Sequence, residues 1–426
     1  VMCPSYRVTR DEKHLTRGRA NTLRLALSNQ LDLKSGASPE SSPLASDAIK
    51  EVMELCVSCK ACRRECPTGV DMAKMKIEFL SAYKKRVGHS LRDLAVAYLP
   101  KYAGTISNIP FLPSLLNLRN HIAPIAKLQE WLMGISAQRS LPIWKSKTFW
   151  NQKAKDSYQY TPEQLANNAD GKGVVLLADT FNAYFEDENL QAALKVLKAA
   201  GYRVHIPHKS QQKQNQSQAD KTNTCSKEFC CGRTYLAAGM VDQAKETLGE
   251  LVNHLAPYAD KHIPIIGLEP SCLFTLKDEA LVMGFGERAV SISKQAQLLE
   301  EFLASEAKAG KLKIQLKAAD KPVLFHGHCH QKSFAAVTPA MELLKLIPNA
   351  EPKLIESSCC GMAGSFGYEA EHIEVSKQMA ELTLLPSIRK SPDSWVVADG
   401  TSCRHQIADG TQREAVHIAK ILAAHL

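Results

Sequence analysis

Thirteen cysteines in 426 residues carry most of the chemistry that this sequence can do. Five lie near the start: Cys3, then the run Cys56-x2-Cys59-x2-Cys62-x3-Cys66-Pro67. Thiolates are soft anionic donors, and at these spacings one tight loop can wrap a cubane [4Fe-4S] cluster. In proteins with two such runs, the fourth cysteine of one run ligates the other cluster. On that rule Cys3, which precedes Pro4, joins Cys56, Cys59 and Cys62, and Cys66 belongs to a second cluster. The rival arrangement puts Cys56, Cys59, Cys62 and Cys66 on a single cube and leaves Cys3 spare. A structural zinc site and buried thiols without metal are the weaker alternatives.

A second constellation joins His326-Gly327-His328-Cys329-His330, Cys359-Cys360-Gly361 and Ser402-Cys403. Each of its cysteines follows a predicted strand, where an open α/β sheet places its ligand sites. Cys329, Cys359, Cys360 and Cys403 are therefore the candidate ligands of a second metal or cluster, with Gly361 and Gly364 offering backbone amides to sulfur. Buried reduced thiols and a redox-active pair are the competing readings. An earlier set, Cys230-Cys231-Gly232 and Pro270-Ser271-Cys272, has Asp179-Thr180-Phe181 where the later one has Cys329. That copy is depleted, so structure rather than chemistry is expected of it, although its cysteines could approach the second copy across a pseudo-dyad. Cys225 falls at the end of a polar insertion, Lys209 to Thr224.

The spacing of these sets reveals a duplication. Cys231 lies 41 residues before Cys272 and Cys360 lies 43 before Cys403, and corresponding positions are 129 and 131 residues apart. Short apolar strands at 174–178, 202–206, 263–266, 323–325, 354–355 and 395–398 alternate with helical patterns at 235–255, 290–303, 336–346, 371–385 and 415–424. Such alternation implies parallel βα units. The expected fold is a multidomain α+β chain: a helical ferredoxin-like module over 1–90, a proline-punctuated helical connector over 91–165, and two pseudo-symmetric α/β units with parallel sheets over 166–310 and 311–426. The amphipathic stretch Phe111 to Met133 could lie on a membrane or a partner, but such stripes more often pack on their own protein.

Composition narrows the class. Apolar residues make up 45% and charged residues 23%, which excludes a wholly disordered chain. An odd number of clustered cysteines argues against a secreted disulfide framework, so a cytoplasmic location is expected, with at most peripheral contact at the inner face of the membrane. The formal charge of +9 is spread along the chain with little aromatic interleaving, and nucleic acid is not an expected partner. Arg17, Arg19 and Arg24 could face a dicarboxylate, a partner domain or, most commonly, solvent. Gly284-Phe285-Gly286 lacks the third glycine of a dinucleotide fingerprint.

Met2-Cys3-Pro4-Ser5-Tyr6-Arg7, Thr16-Arg17-Gly18-Arg19-Ala20, the Cys56 to Pro67 run and the two Cys-Cys-Gly repeats together resemble the iron-sulfur portion of fused bacterial flavoproteins. That family joins an FAD-linked oxidase domain to an iron-sulfur domain and includes D-2-hydroxyglutarate dehydrogenases and D-lactate dehydrogenase-like enzymes. The chain is also similar to the glycolate oxidase iron-sulfur subunit and, more distantly, to the Cys-Cys-Gly subunit of heterodisulfide reductase. The resemblance implies an FAD domain upstream of Val1, in the same polypeptide or a partner subunit, oxidising a D-2-hydroxy acid to a 2-oxo acid. It implies electron transfer from flavin through a [4Fe-4S] cluster to an acceptor of unspecified identity, and a fragment inactive by itself. Self-association into a homo-oligomer is a further expectation. The missing cysteine near Asp179 argues against a noncubane cluster of the heterodisulfide reductase kind. The alternative is a non-enzymatic metal-binding scaffold that docks a redox partner.

Overall fold

The computed structural model describes residues 3–31, 43–151, 158–167, 172–209 and 229–426. Cys225, the insertion beyond Lys209, Val1, Met2 and the stretch Gly36 to Ser42 lie outside the described residues.

Helices Pro4–Thr9, Thr16–Leu27, Asp47–Glu54, Ala61–Glu65 and Met72–Val87 enclose a small core of Leu23, Ala26, Ile49, Met53, Cys56, Met72 and Phe79. Their starts are written in the sequence: Ser46 accepts from the Ile49 N–H, and Asp71 from those of Ala73 and Lys74. Next come Leu91–Ala97, Leu99–Asn108, Leu112–Asn117 and Ala123–Met133. Pro100, Pro113 and Pro124 sit in first turns, where a missing N–H leaves no hydrogen bond unmade, so these prolines start helices. The apolar side chains of Phe111 to Met133 do not pack inward as expected: Phe111, Leu115, Leu128, Trp131 and Leu132 are exposed.

The described residues of the remainder hold two small parallel sheets. In the first, β1 (Gly173–Leu176), β2 (Arg203–His205), β3 (Ile265–Gly267) and β4 (Ala296–Leu298) lie in the order β2-β1-β3-β4. In the second, β5 (Val323–His326), β6 (Lys353–Leu354) and β7 (Trp395–Ala398) lie in the order β6-β5-β7. The orders match strand for strand, and a single parallel bridge from Val397 to Val416 stands where β4 would be. The two halves share one core, in which Val174 and Leu176 of β1 join Val323 and Phe325 of β5. Helix Asp187–Ala199 packs on Ile418–Ala424, and Leu299–Lys308 on Val337–Leu344, so each half covers the other.

Three predicted helices come out broken. Ala296–Leu298, inside the pattern at 290–303, pairs in parallel with β3, because strand pairing outweighs the helical preference of these residues. The pattern at 235–255 splits at Gly239 into Arg233–Ala237 and Val241–Asp260. Gly239 has φ +76°, and a Cβ there would lie 2.7 Å from the Leu80 carbonyl carbon, so the break lets the N-terminal helices approach. The pattern at 371–385 becomes Ile373–Glu381 and Leu384–Arg389.

His372 ties the N-terminal helices to the second sheet's half. Its Nδ1 bonds Glu369 Oε2 at 2.7 Å, its Nε2 lies 3.6 Å from Glu54 Oε1, and its ring stacks on Phe366. Burial opposes the charged ring, but Glu369 and Glu54 outweigh it and raise His372 above its ordinary value. The His372 hydrogen bond lowers Glu54 to about 2. The raised histidine stabilises fully below pH 6.5 and loses its contribution as pH climbs through the folded value; the depressed Glu54 contributes above 4.5 and loses it as pH falls toward 2. The contact is therefore strongest between those limits. Thermal melts of His372→Gln should show a shallower alkaline decline in midpoint than the parent chain; parallel declines would remove His372 from the pH response.

Candidate functional site

The loop Cys56–Cys62 owes its curl to left-handed residues: Ser58 has φ 49° and Lys60 φ 59°. Lys60 is 1% exposed and turns its ammonium away from the thiols onto Asp278 Oδ2 (2.5 Å) and Glu279 Oε1 (2.6 Å). Lys74 joins Asp278 at 2.6 Å and Arg233 joins Glu279 at 2.7 Å. Burial disfavours the Asp278 carboxylate, but Lys60 and Lys74 outweigh it and hold its carboxyl below the usual range. The far side of the loop is gripped by the helix Cys329–Ser333. Ser333 Oγ donates to the Cys59 carbonyl (2.8 Å), His330 Nε2 bonds the Ser58 carbonyl (3.1 Å), and Arg64 donates to the Lys332 carbonyl.

Around the loop the thiols divide. Cys59 feels Cys329, Cys3 and Cys56, and Cys62 feels Cys56. Burial raises the thiols of Cys59 and Cys62, opposed by the N–H groups of Ala61 for Cys59 and of Met72 and Arg63 for Cys62. Cys66 stands apart at the loop's outer end. Its thiol bonds Thr68 Oγ1 at 3.1 Å, and that bond with the amides of 68–70 lowers it. Cys3 lies on the inner side, where Arg19 donates to its Sγ (3.0 Å), to Ser5 Oγ (2.9 Å) and to the Val52 carbonyl (3.0 Å). Arg19 is 1% exposed, so the solvent reading fails for it, while Arg17 and Arg24 do face solvent. The donor set fits an iron-sulfur cluster: soft sulfur, amides and a guanidinium directed at it, and thiols whose protons a metal would displace.

The second constellation lies against this loop, since Cys59, Cys329 and Cys359 share one apolar cluster with Val57, Phe366 and Met379. Cys403 Sγ donates to Cys360 Sγ at 3.4 Å, Cys359 bonds both Cys360 and Cys329, and the Gly361 N–H donates to Cys359 Sγ at 3.4 Å. Gly361 (φ +88°) is required here, because a Cβ would lie 2.3 Å from the Ser376 carbonyl. Gly364 differs from expectation: its amide donates to Ser402 Oγ (3.3 Å) and not to sulfur. In this chain of thiols Cys329 and Cys360 ionise first. The Cys359 thiol holds both down, helped by the nearby His328 and His330 for Cys329 and by Cys403 and His326 for Cys360. Burial opposes charge on His328, but the Cys329 thiolate outweighs it and pushes the ring up to about 9.

His326 completes the set. It is fully buried, offers a nitrogen within 4.8 Å of the Cys360 and Cys403 sulfurs, bonds Ser357 Oγ through Nδ1 (2.8 Å), and keeps Nε2 free of any nitrogen or oxygen partner among the described residues, with the Cys360 thiol beside the ring. Burial and nearby Lys332 keep it neutral, the form that binds metal. From sequence, His326 stands in the second constellation but not among its candidate ligands, Arg19 is left open between a dicarboxylate, a partner domain and solvent, and Lys60 gives no signal. For His326 the signal was there, a histidine at a strand's carboxyl end beside cysteines.

In the first half, Cys230, Cys231, Cys272, Asp179 and Glu269 line one pocket. Asp179 caps the helix Thr180–Tyr184, accepting from Phe181 and Asn182, and burial with neighbouring Glu269 raises it to about 7. Glu269 Oε2 accepts from the Thr401 N–H (2.9 Å), which links this pocket to the second constellation across the pseudo-dyad.

Comparison with known proteins bears on what these thiols hold. The family described as "4Fe-4S dicluster domain" matches residues 1–70, and the one described as "Cysteine-rich domain" matches 217–277 and 323–408. The chain is similar to D-2-hydroxyglutarate dehydrogenase of Escherichia coli, 24% identical over 95% of this chain and 40% of that protein. It is 23% identical to the Pseudomonas putida enzyme of that name, over 99% of this chain and 41% of that protein. A subunit of the anaerobic glycerol-3-phosphate dehydrogenase of Escherichia coli is 26% identical over 79% of this chain and 78% of its own length. The chain thus matches a 4Fe-4S dicluster domain at its start and a cysteine-rich domain twice further on, and its similarity runs to dehydrogenases and to a dehydrogenase subunit. This chain, with its matched iron-sulfur domain, spans about 40% of the length of the hydroxyglutarate dehydrogenases that it matches.

Two outcomes follow from the geometry. Arg19→Gln in the iron-sulfur chain removes a positive charge beside Cys3 Sγ, so the midpoint potential of the bound cluster should fall, by redox titration; an unchanged potential would show that Arg19 serves packing alone. We propose that Cys329, Cys359, Cys360, Cys403 and His326 hold the second metal or cluster. His326→Ala should then weaken retention there roughly tenfold or more, measured by metal analysis after graded chelation, while iron at the N-terminal loop is unchanged.

Proposed function

We propose that this chain is the electron-transfer part of an FAD-dependent D-2-hydroxy acid dehydrogenase. Oxidation of D-2-hydroxyglutarate or D-lactate to the 2-oxo acid releases two electrons and two protons, and FAD on another domain or subunit would take them. A [4Fe-4S] cluster supplies one-electron redox chemistry, which splits that pair for delivery to an acceptor. The observation that carries the reading is the pressing of the Cys56–Cys62 loop onto the Cys329 helix, which gathers two sets of thiols at one buried junction.

The chain's own residues do three things at that junction. Cys3, Cys56, Cys59 and Cys62 supply the thiolates of one cluster, with Cys66 facing outward toward a second. Arg19 places positive charge against Cys3, and Lys332, which donates to the Ser357 and Ser358 carbonyls, sits among the second set of thiols. The packed side chains of Val57, Phe366 and Met379 exclude water and lower the local dielectric. We extend the proposal to the division of the chain: an iron-sulfur module over 1–90, a connector over 91–165 and Cys-Cys-Gly units over 166–310 and 311–426.

After anaerobic reconstitution the chain should absorb near 400 nm, bleach with dithionite and accept electrons from an FAD partner reduced with D-2-hydroxyglutarate or D-lactate. A colourless protein holding only zinc would overturn the redox reading and leave a metal-bound scaffold. Cys3→Ser should abolish the absorbance and Cys66→Ser should preserve it; the opposite pattern would place Cys66 on this cube.

A further inference from the structure

The first Cys-Cys-Gly half holds three thiols that the electron-transfer reading leaves unused. Cys230, Cys231 and Cys272 line a cavity together with Asp179 and Glu269. Gly232 sets the turn: its φ is +75°, and a Cβ there would lie 2.8 Å from the Ala244 carbonyl oxygen. Beyond that turn the Arg233 N–H reaches the Cys231 sulfur. Cys272 sits in the first turn of the helix Pro270–Lys277, which Glu269 caps by accepting from the Ser271 N–H.

The three thiols are unequal. Hydrogen bonds from Cys230 and Cys272, with the Arg233 amide and charge, outweigh burial and hold the Cys231 thiol well below its ordinary value. The bond to Cys231, with burial, pushes Cys272 up, so Cys272 keeps its proton. A thiolate beside a protonated thiol is a nucleophile with a resolving partner. Cys230 is not that partner. Neighbours across a trans peptide have Cα atoms about 3.8 Å apart, short of the roughly 4.4–6.8 Å that a disulfide spans. Cys231 and Cys272 come from separate elements and escape that constraint.

An acid stands in the same wall. Asp179 Oδ1 accepts from the Phe181 and Asn182 N–H groups (both 3.1 Å) and Oδ2 from Asn182 Nδ2 (2.7 Å), which fixes the carboxyl in place. Raised to about 7 by burial and Glu269, it carries a proton near neutrality. Glu269 is committed elsewhere: Oε1 accepts from Ser271 Oγ (2.8 Å) and Oε2 from the Thr401 N–H (2.9 Å). Leu177, Phe229, Leu251 and Leu273 make much of the remaining wall.

The size of the cavity selects the substrate. Its volume of about 30 Å³ admits about one or two water-sized groups, far less than an organic disulfide needs. Two carboxyl groups and an apolar wall disfavour an anion. A neutral oxidant of two heavy atoms, hydrogen peroxide, fits.

We propose that the first half carries a peroxide-reducing dithiol site, with Cys231 as the attacking thiolate, Cys272 as the resolving thiol and Asp179 as the proton donor. The Cys231 sulfur attacks one peroxide oxygen and the O–O bond breaks. Cys231 becomes a sulfenic acid, and the departing hydroxide takes the Asp179 proton and leaves as water. The Cys272 sulfur then attacks Cys231: the S–S bond forms, the S–O bond breaks, and the hydroxyl leaves with the Cys272 proton as a second water. Two electrons pass from the two sulfurs to the peroxide, and a small dithiol restores the pair. This goes beyond the electron-transfer reading and does not rest on it.

The test adds one equivalent of hydrogen peroxide to the anaerobically reconstituted chain, then alkylates free thiols and maps them by mass spectrometry while cluster absorbance is followed. A Cys231–Cys272 disulfide should form before the cluster bleaches, and dithiothreitol should reverse it. Cys272→Ser should leave a sulfenic acid at Cys231 that dimedone captures. Asp179→Asn keeps the helix cap, since asparagine caps as well as aspartate. It should nevertheless slow Cys231 oxidation roughly a hundredfold. It should also abolish the parent's fall in rate as pH rises through about 7, a titration of Asp179 against Glu269, Cys231 and Cys272. Bleaching with Cys231 and Cys272 still reduced, a disulfide that excludes either, or an unchanged rate and pH profile in Asp179→Asn would each overturn the proposal. So would zinc retained at these thiols that blocks their alkylation, since the cavity would then be a metal site.

Discussion

A buried ammonium holds this structure together at its chemical centre. Lys60 sits between Cys59 and Cys62 in the metal-binding run, yet its charge is delivered to Asp278 and Glu279, more than two hundred residues away. Taking three charges out of water is costly, and their mutual attraction repays this only with short contacts and further partners. Lys74 and Arg233 provide those partners. Removing Lys60 would leave two buried carboxylates undercompensated, which costs roughly 3–5 kcal/mol. Such an arrangement contributes little net stability but defines register. With Lys60 fixed, the thiols on either side of it have one position relative to the body.

That position matters because the two halves of the body differ chemically despite their common topology. The second half brings Cys329, Cys359, Cys360, Cys403 and neutral His326 to the carboxyl ends of β5 and its neighbours, and its Cys329 helix grips the Cys56–Cys62 loop. The first half contributes Asp278, Glu279 and Arg233, the residues that receive Lys60. One copy of the duplication thus faces the metal loop with sulfur and the other with charge. Where the first copy has lost a cysteine, Asp179 caps a helix instead.

Much of this was legible in the sequence, and the reason is locality. Cysteine spacing, Cys-Cys-Gly pairs and apolar strands are short-range patterns, so the cluster-binding run, the duplication and the strands could be read directly. β4 was hidden because Ala296–Leu298 has no intrinsic strand preference and becomes one by pairing with β3. Arg19, Lys60 and His372 were hidden for a related reason. A charged residue in isolation reads as solvated, and only the tertiary fold shows what it meets. The outward face of Phe111–Leu132 was misread because periodicity reveals that a face is apolar but not which way it points.

The central claim is that the Cys56–Cys62 loop and the Cys329–Ser333 helix form one cooperative unit pinned by Lys60. Hydrogen exchange followed by mass spectrometry, on the reconstituted chain and its Lys60→Met variant, tests it most directly. Loss of the pin should raise exchange in residues 57–62 and 329–333 together, with the strand β5 unaffected. Faster exchange confined to 57–62, with 329–333 unchanged, would contradict the account.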